Sequence, residues 1–228
     1  MPVFGTQMFG SAAAATPVTA SFAGVTGSTS ETTGFTFSGH AIGTAATGRL
    51  VVVGFGNSGG GGGTAGISSM TVAGVTATKI VEITAADNTT SGIWTAPVDS
   101  GTTGDIVISY SRTTNGTYVG VWAIYDANTT ASDSSGDIDD GGIIYTTTLD
   151  IPANGVAMAC SMDGKGGSAP THTWAGLTEN FDLNYKGNQA GSGAHKTFDT
   201  IQSNLTISST PNATTHQGSM VCASWGPA

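Results

Sequence analysis

With 228 residues, 9% of them charged, and a net charge of -9 at neutral pH, the chain is long enough to bury a core without covalent staples. Its six Lys and Arg stand singly at Arg49, Lys79, Arg112, Lys165, Lys186 and Lys196, so no basic patch exists to hold nucleic acid. No run of 18 apolar residues is present to cross a membrane as a helix, and residues 1–20 lack the charged and apolar regions of a secretory signal, so a soluble protein made in the cytoplasm is expected.

In chain order, residues 1–30 are poor in apolar side chains and read as an extended arm, with Phe4, Met8 and Phe9 as candidate docking anchors. From residue 31 a period-two pattern begins, and T-G-F-T-F-S puts Phe35 and Phe37 on one face. The stretch R-L-V-V-V-G-F at 49–55 is apolar on both faces, which predicts a central strand covered on both sides. A glycine-rich segment, 56–66, is expected to be a flexible loop after it. Residues 67–75 and 78–84 predict a hairpin, 92–95 carries Trp94, and 105–111 places Ile106, Ile108 and Tyr110 on one face. Residues 117–125, T-Y-V-G-V-W-A-I-Y, are apolar on both faces and are expected beside 49–55. An acidic loop at 126–142 follows, then short strands at 143–149, 155–162, 171–175, 178–183, 195–199, 204–208 and 219–225.

No segment of helical period bounded by caps appears, so the chain is expected to be all-β. Short strands about ten residues apart, without a blade-length repeat, point to a two-sheet antiparallel sandwich of jelly-roll type. The acidic loop is the only boundary that composition suggests. Since the two halves look too strand-poor to close separate cores, one sandwich over 31–228 is expected behind the 1–30 arm.

The motifs that could carry chemistry fail on context. Gly54, Gly56 and Gly59 form G-x-G-x-x-G after a strand, but a dinucleotide site needs a helix at that point, and no P-loop lysine follows. G-N-S-G-G at 56–60 matches the nucleophile segment of trypsin-like proteases, yet the first Asp of the chain, Asp87, lies downstream of Ser58. Asp133, Asp137, Asp139 and Asp140 could offer carboxylates to calcium, but Gly141 and Thr148 break the EF-hand spacing and a solvated turn is expected. The histidines His40, His172, His195 and His216 lack zinc spacing. No catalytic residue, metal or cofactor is expected. Cys160 and Cys222 lie in similar strands, V-A-M-A-C-S-M and S-M-V-C-A-S-W, and are expected as buried free thiols in one sheet, a disulfide being the alternative. Five Asn-x-Thr triplets are attributed to the abundance of threonine. Of the four tryptophans, Trp174 in T-H-T-W-A-G has polar neighbours and is the candidate glycan contact.

At the residues G-R-L-V-V-V-G-F, S-M-T-V-A-G-V-T-A-T-K-I, I-W-T-A-P, T-G-D-I-V-I-S-Y-S and V-G-V-W-A-I, the sequence resembles a jelly-roll module of bacterial surface proteins and tailed-phage virion proteins, over residues 31–228. The resemblance implies a non-enzymatic virion structural protein, made in the host cytoplasm, most directly a capsid decoration protein on the particle exterior. The alternative it implies is a tail appendage or receptor-binding protein with a carbohydrate-binding sandwich. Expected partners are other virion proteins such as the major capsid protein, further copies of the chain in a trimer, and a host-surface glycan. The absence of a collagen-like or coiled-coil shaft argues against a long fibre.

Overall fold

The computed structural model describes residues 15–59, 63, 65–86, 88–139, 144–164, 171–187, 189–212 and 217–228. The chain is all-β, as its periodicity predicts, and its sheets are antiparallel. The strands of the first half are β1 (Thr19–Ser28), β2 (Thr32–Ala41), β3 (Leu50–Gly59), β4 (Ile67–Val72), β5 (Val75–Thr76), β6 (Thr78–Thr84), β7 (Thr89–Pro97) and β8 (Thr103–Tyr125). Those of the second half are β9 (Asp133–Asp139), β10 (Tyr145–Ile151), β11 (Gly155–Asp163), β12 (His172–Ala175), β13 (Thr178–Lys186), β14 (Gln189–Phe198), β15 (Gln202–Pro211) and β16 (Gly218–Trp225).

The stretch that is apolar on both faces becomes β3, with Val53 opposite Trp94 of β7 and Val121 of β8. Several sequence expectations change around it. Residues 105–111 and 117–125 are one 23-residue strand, β8, whose register against β3 shifts at Thr114. Before the shift, exposed and buried residues alternate, with Ile106, Ile108 and Tyr110 inside; after it, the strand is buried on both faces. The expected hairpin at 67–84 does not form, because β4 pairs with β8 and the two-residue β5, while β6 pairs with β7. Ordered strand extends through Gly59, so Ser58 is 9% exposed in β3 and does not sit on a loop. Most of the arm also changes: β1 pairs with the second part of β8, and Phe22 packs on Trp122 and Phe181. Phe4, Met8 and Phe9 lie outside the described residues.

Three apolar clusters define four layers. One fills the first half, where Phe35, Phe37, Met70, Ile106 and Ile108 cover Val51, Val53 and Phe55 of β3. Another fills the second half, where Tyr145, Leu149, Trp174 and Ile207 cover Ala157, Ala159, Met220 and Cys222. The remaining cluster joins the halves, with Val52, Ile93 and Trp122 meeting Met158, Cys160, Phe181 and Trp225. Both inner sheets are therefore covered on both faces, which is why β3, β11 and β16 read as continuous apolar runs.

The two halves have the same strand order. In the first, the inner sheet runs β1-β8-β3-β7-β6 and the outer layer is β2-β8-β4-β5; in the second, the inner sheet runs β9-β16-β11-β14-β13 and the outer is β10-β15-β12. The first part of β8 takes the place of β15, and its second part the place of β16. Even a bulge is shared: β6 slips against β7 between Lys79 and Val81, and β13 slips against β14 between Glu179 and Phe181. The sheets stack with β1 on β13, β3 on β11 and β6 on β9, so each half meets the other in the way the two subunits of a two-fold dimer meet. The expectation that the halves cannot close separate cores does not hold. Residues 126–132 connect two sandwiches, and the acidic stretch after them, expected as a loop, is the edge strand β9.

Candidate functional site

The bulge in β6 shapes the seam between the halves. An extra residue in one strand bends it and re-aims its side chains. Here Ile80 is that residue, and Thr78, Lys79 and Ile80 line a groove together with residues 129–134, the end of the linker and the start of β9. Leu50, Thr95 and Pro97, at the ends of β3 and β7, complete this groove of about 620 Å³. Leu50, Ile80 and Pro97 give the groove apolar surface, and Thr78, Thr95, Thr129, Thr130, Ser132 and Ser134 give it hydroxyls.

The charged groups of the groove differ in freedom. Both carboxylate oxygens of Asp133 accept backbone N–H bonds, from Ser134 and from Asp150, each at 2.8 Å. Ser132 accepts the Gly226 amide at 3.1 Å, so this wall is tied to the second half. Lys79 is exposed and makes no ion pair among the described residues. Its charge is felt by Glu82, whose pKa is raised by burial, with Lys79, the Ile67 amide and the Trp94 indole opposing the rise.

The residues singled out from sequence fall elsewhere. Trp174 is not a stacking platform: it is 9% exposed, its ring lies in the second core, and its indole donates to Ser192 Oγ at 2.8 Å. On this short strand Thr173 and Ala175 face outward while His172 and Trp174 point in, which the period-two alternation of T-H-T-W-A allowed. Trp94, Trp122 and Trp225 are buried as well. Cys160 and Cys222 are free and lie in neighbouring strands, and because Cys222 stands opposite Ala159, one step from Cys160, their side chains enter different cores. Asp133 and Asp137 are bound to backbone amides of the second half. No group of three or more metal-ligating side chains is found among the described residues.

Buried polar residues serve packing. His172 is 4% exposed and its Nδ1 lies 2.8 Å from Ser209 Oγ and 3.4 Å from Ser161 Oγ, inside the second sandwich. Arg49 is fully buried and donates to the carbonyls of Gly43, Val98, Ser100 and Gly101. The sequence placed Arg49 among six singly spaced cations and at the start of the central strand, and nothing in the local pattern marked it as a buried clamp.

Comparison of the chain with protein families, with curated proteins and with solved structures gives no match.

Proposed function

We propose that the protein is a non-enzymatic structural protein on the exterior of a tailed-phage particle, most directly a capsid decoration protein. The observation that carries this reading is the doubled sandwich, in which two sheets are covered on both faces and buried polar side chains are spent on holding turns and strands. Such a body is rigid and weakly charged, which suits a protein displayed on a particle. Counting the strands of the second half from β9, the orders 1-8-3-6-5 and 2-7-4 support reading each half as a variant of a jelly roll in which the fifth strand joins the inner sheet beside the sixth. Its partners would be the major capsid protein and further copies of the chain as a trimer, with Phe4, Met8 and Phe9 as the docking anchors. Mass spectrometry of purified virions tests the assignment: the protein should be present at a copy number set by the capsid lattice, and its absence would overturn the reading. Removing residues 1–14 leaves β1 in place and should abolish incorporation; wild-type occupancy would place the attachment surface on the sandwich itself.

The seam groove favours a second reading, a tail appendage or receptor-binding protein that holds a saccharide. Imaging of the intact particle separates the two by where the protein sits.

A further inference from the structure

The seam groove has a counterpart. Because the halves are related as dimer subunits are, the segment that leads into β9 corresponds to the one that leads into β1. A second groove of about 280 Å³ lies at that equivalent place, between residues 17–20 and the ends of β11 and β14. The two differ. In the second, Phe198 forms part of the wall with Lys196 over its ring, 5.2 Å from the centroid, and the space is less than half as large. In the first, the bulge of β6 presents Lys79, and the residue at the same position in β13 is Glu179. Of the two equivalent grooves, the one beside Lys79 is therefore the larger.

The chemistry of the larger groove narrows what it can hold. The single ammonium of Lys79, whose charge also acts on Glu82 but which makes no ion pair among the described residues, matches one negative charge, and a phosphate site would call for several cations or a nest of amides. Asp133 also lines the groove, with its carboxylate held to the β9 wall by the Ser134 and Asp150 amides, and the ion pair between Lys186 and Glu31 involves neither it nor Lys79. Thr78, Thr95 and Thr130 supply hydroxyls, and the apolar surface of Leu50, Ile80 and Pro97 suits the C–H face of a pyranose ring. We propose that the groove beside Lys79 binds the acidic sugar of a saccharide, with the Lys79 ammonium on its carboxylate. The inference deepens the saccharide-binding reading, and it is tested in solution without a particle, so its failure is distinguishable from a wrong location on the virion.

The full-length protein is titrated with glucuronate, galacturonate and N-acetylneuraminate oligosaccharides, and with their carboxyl-reduced forms, while backbone amide resonances are followed. At least one acidic probe should give saturable shifts at Thr78, Ile80 and Thr95, and its carboxyl-reduced form should bind about tenfold more weakly. Lys79→Met, with unchanged melting temperature, should weaken that probe by the same factor, and Lys196→Met should leave it unaltered. No saturable shift at the groove with any of the three acidic probes, equal binding of the reduced form, or equal binding by Lys79→Met would overturn the proposal.

Discussion

Gly54 of β3 and Cys160 of β11 hold the same position in the two halves and touch each other across the seam. A Cβ placed on Gly54 would stand 3.1 Å from Cys160 Sγ and 3.0 Å from the Trp122 ring, so no larger residue fits without movement. A residue that meets its own counterpart marks where the two-fold relation passes. A neighbouring pair of contacts obeys the same relation: Ser91 donates to the Ser219 carbonyl at 2.9 Å, and at the equivalent positions Tyr118 lies directly over Gly191. Large against glycine on one side is matched by serine against serine on the other.

Gly54→Ala should therefore destabilise by about 1–3 kcal/mol through overpacking. Cys160→Ala removes the Sγ that would stand 3.1 Å from the new methyl, so in the Gly54→Ala background it should cost less than it does alone. A double-mutant cycle by denaturant unfolding measures that coupling, and additivity within experimental error would show that the seam relaxes elsewhere.

Arg49 offers a sharper loss. It is buried without a carboxylate partner among the described residues and organises four carbonyls from two turns. Arg49→Met leaves those carbonyls without their donors and is expected to cost about 3–5 kcal/mol, a loss comparable to breaking a buried ionic contact. Arg49→Lys should recover little, because a single ammonium cannot reproduce the planar fork. A melting temperature of Arg49→Lys close to wild type would refute the clamp.

Strand content was legible because alternation is a local property: Phe35 and Phe37, Ile106 to Tyr110, and the doubly apolar stretches at 49–55 and 117–125 all land where their patterns place them. The shared strand order of the two halves was not. Its trace in the sequence is A-G-V-T at 73–76 against A-G-L-T at 175–178, where Gly74 and Gly176 both take positive φ in the turn after β4 and β12. Outside that turn, equivalent positions differ in volume and are matched by their facing partners, Tyr118 over Gly191 where Ser219 meets Ser91, so the packing agrees where the residues do not. The groove escaped notice for a related reason. It is assembled from residues 50, 78–80, 95–97 and 129–134, which only the stacking of the halves brings together.

Glu82 should make stability depend on pH. Burial raises its pKa above 4.5, so the folded state holds the proton more tightly than the unfolded chain. Its contribution is then most favourable below pH 4.5 and is lost as pH rises through the folded value. Glu82→Gln removes that loss: melting temperature should rise at pH 7.5 relative to wild type and stay unchanged at pH 4. A variant less stable than wild type at pH 7.5 would show that the carboxylate is held by its neighbours.

The two thiols should report on how the structure opens. Burial pushes both Cys160 and Cys222 up to about 12, so neither is a thiolate in the native protein near neutral pH. Labelling then requires opening, and the two sites need different openings. Cys222 Sγ lies 3.6 Å from the Ser135 carbonyl of β9, an edge strand that pairs only with β16 among the described residues, so loss of β9 alone uncovers it. Cys160 Sγ lies 3.4 Å from the Gly92 carbonyl across the seam and is reached only when the halves separate. Edge strands open at lower free energy than a doubly covered sheet. With a maleimide at pH 8, Cys222 should label slowly and Cys160 more slowly still, with both reacting at once in denaturant. Prompt labelling of the native protein, or Cys160 labelling first, would mean that the seam is the weaker interface and that the halves part before β9 does.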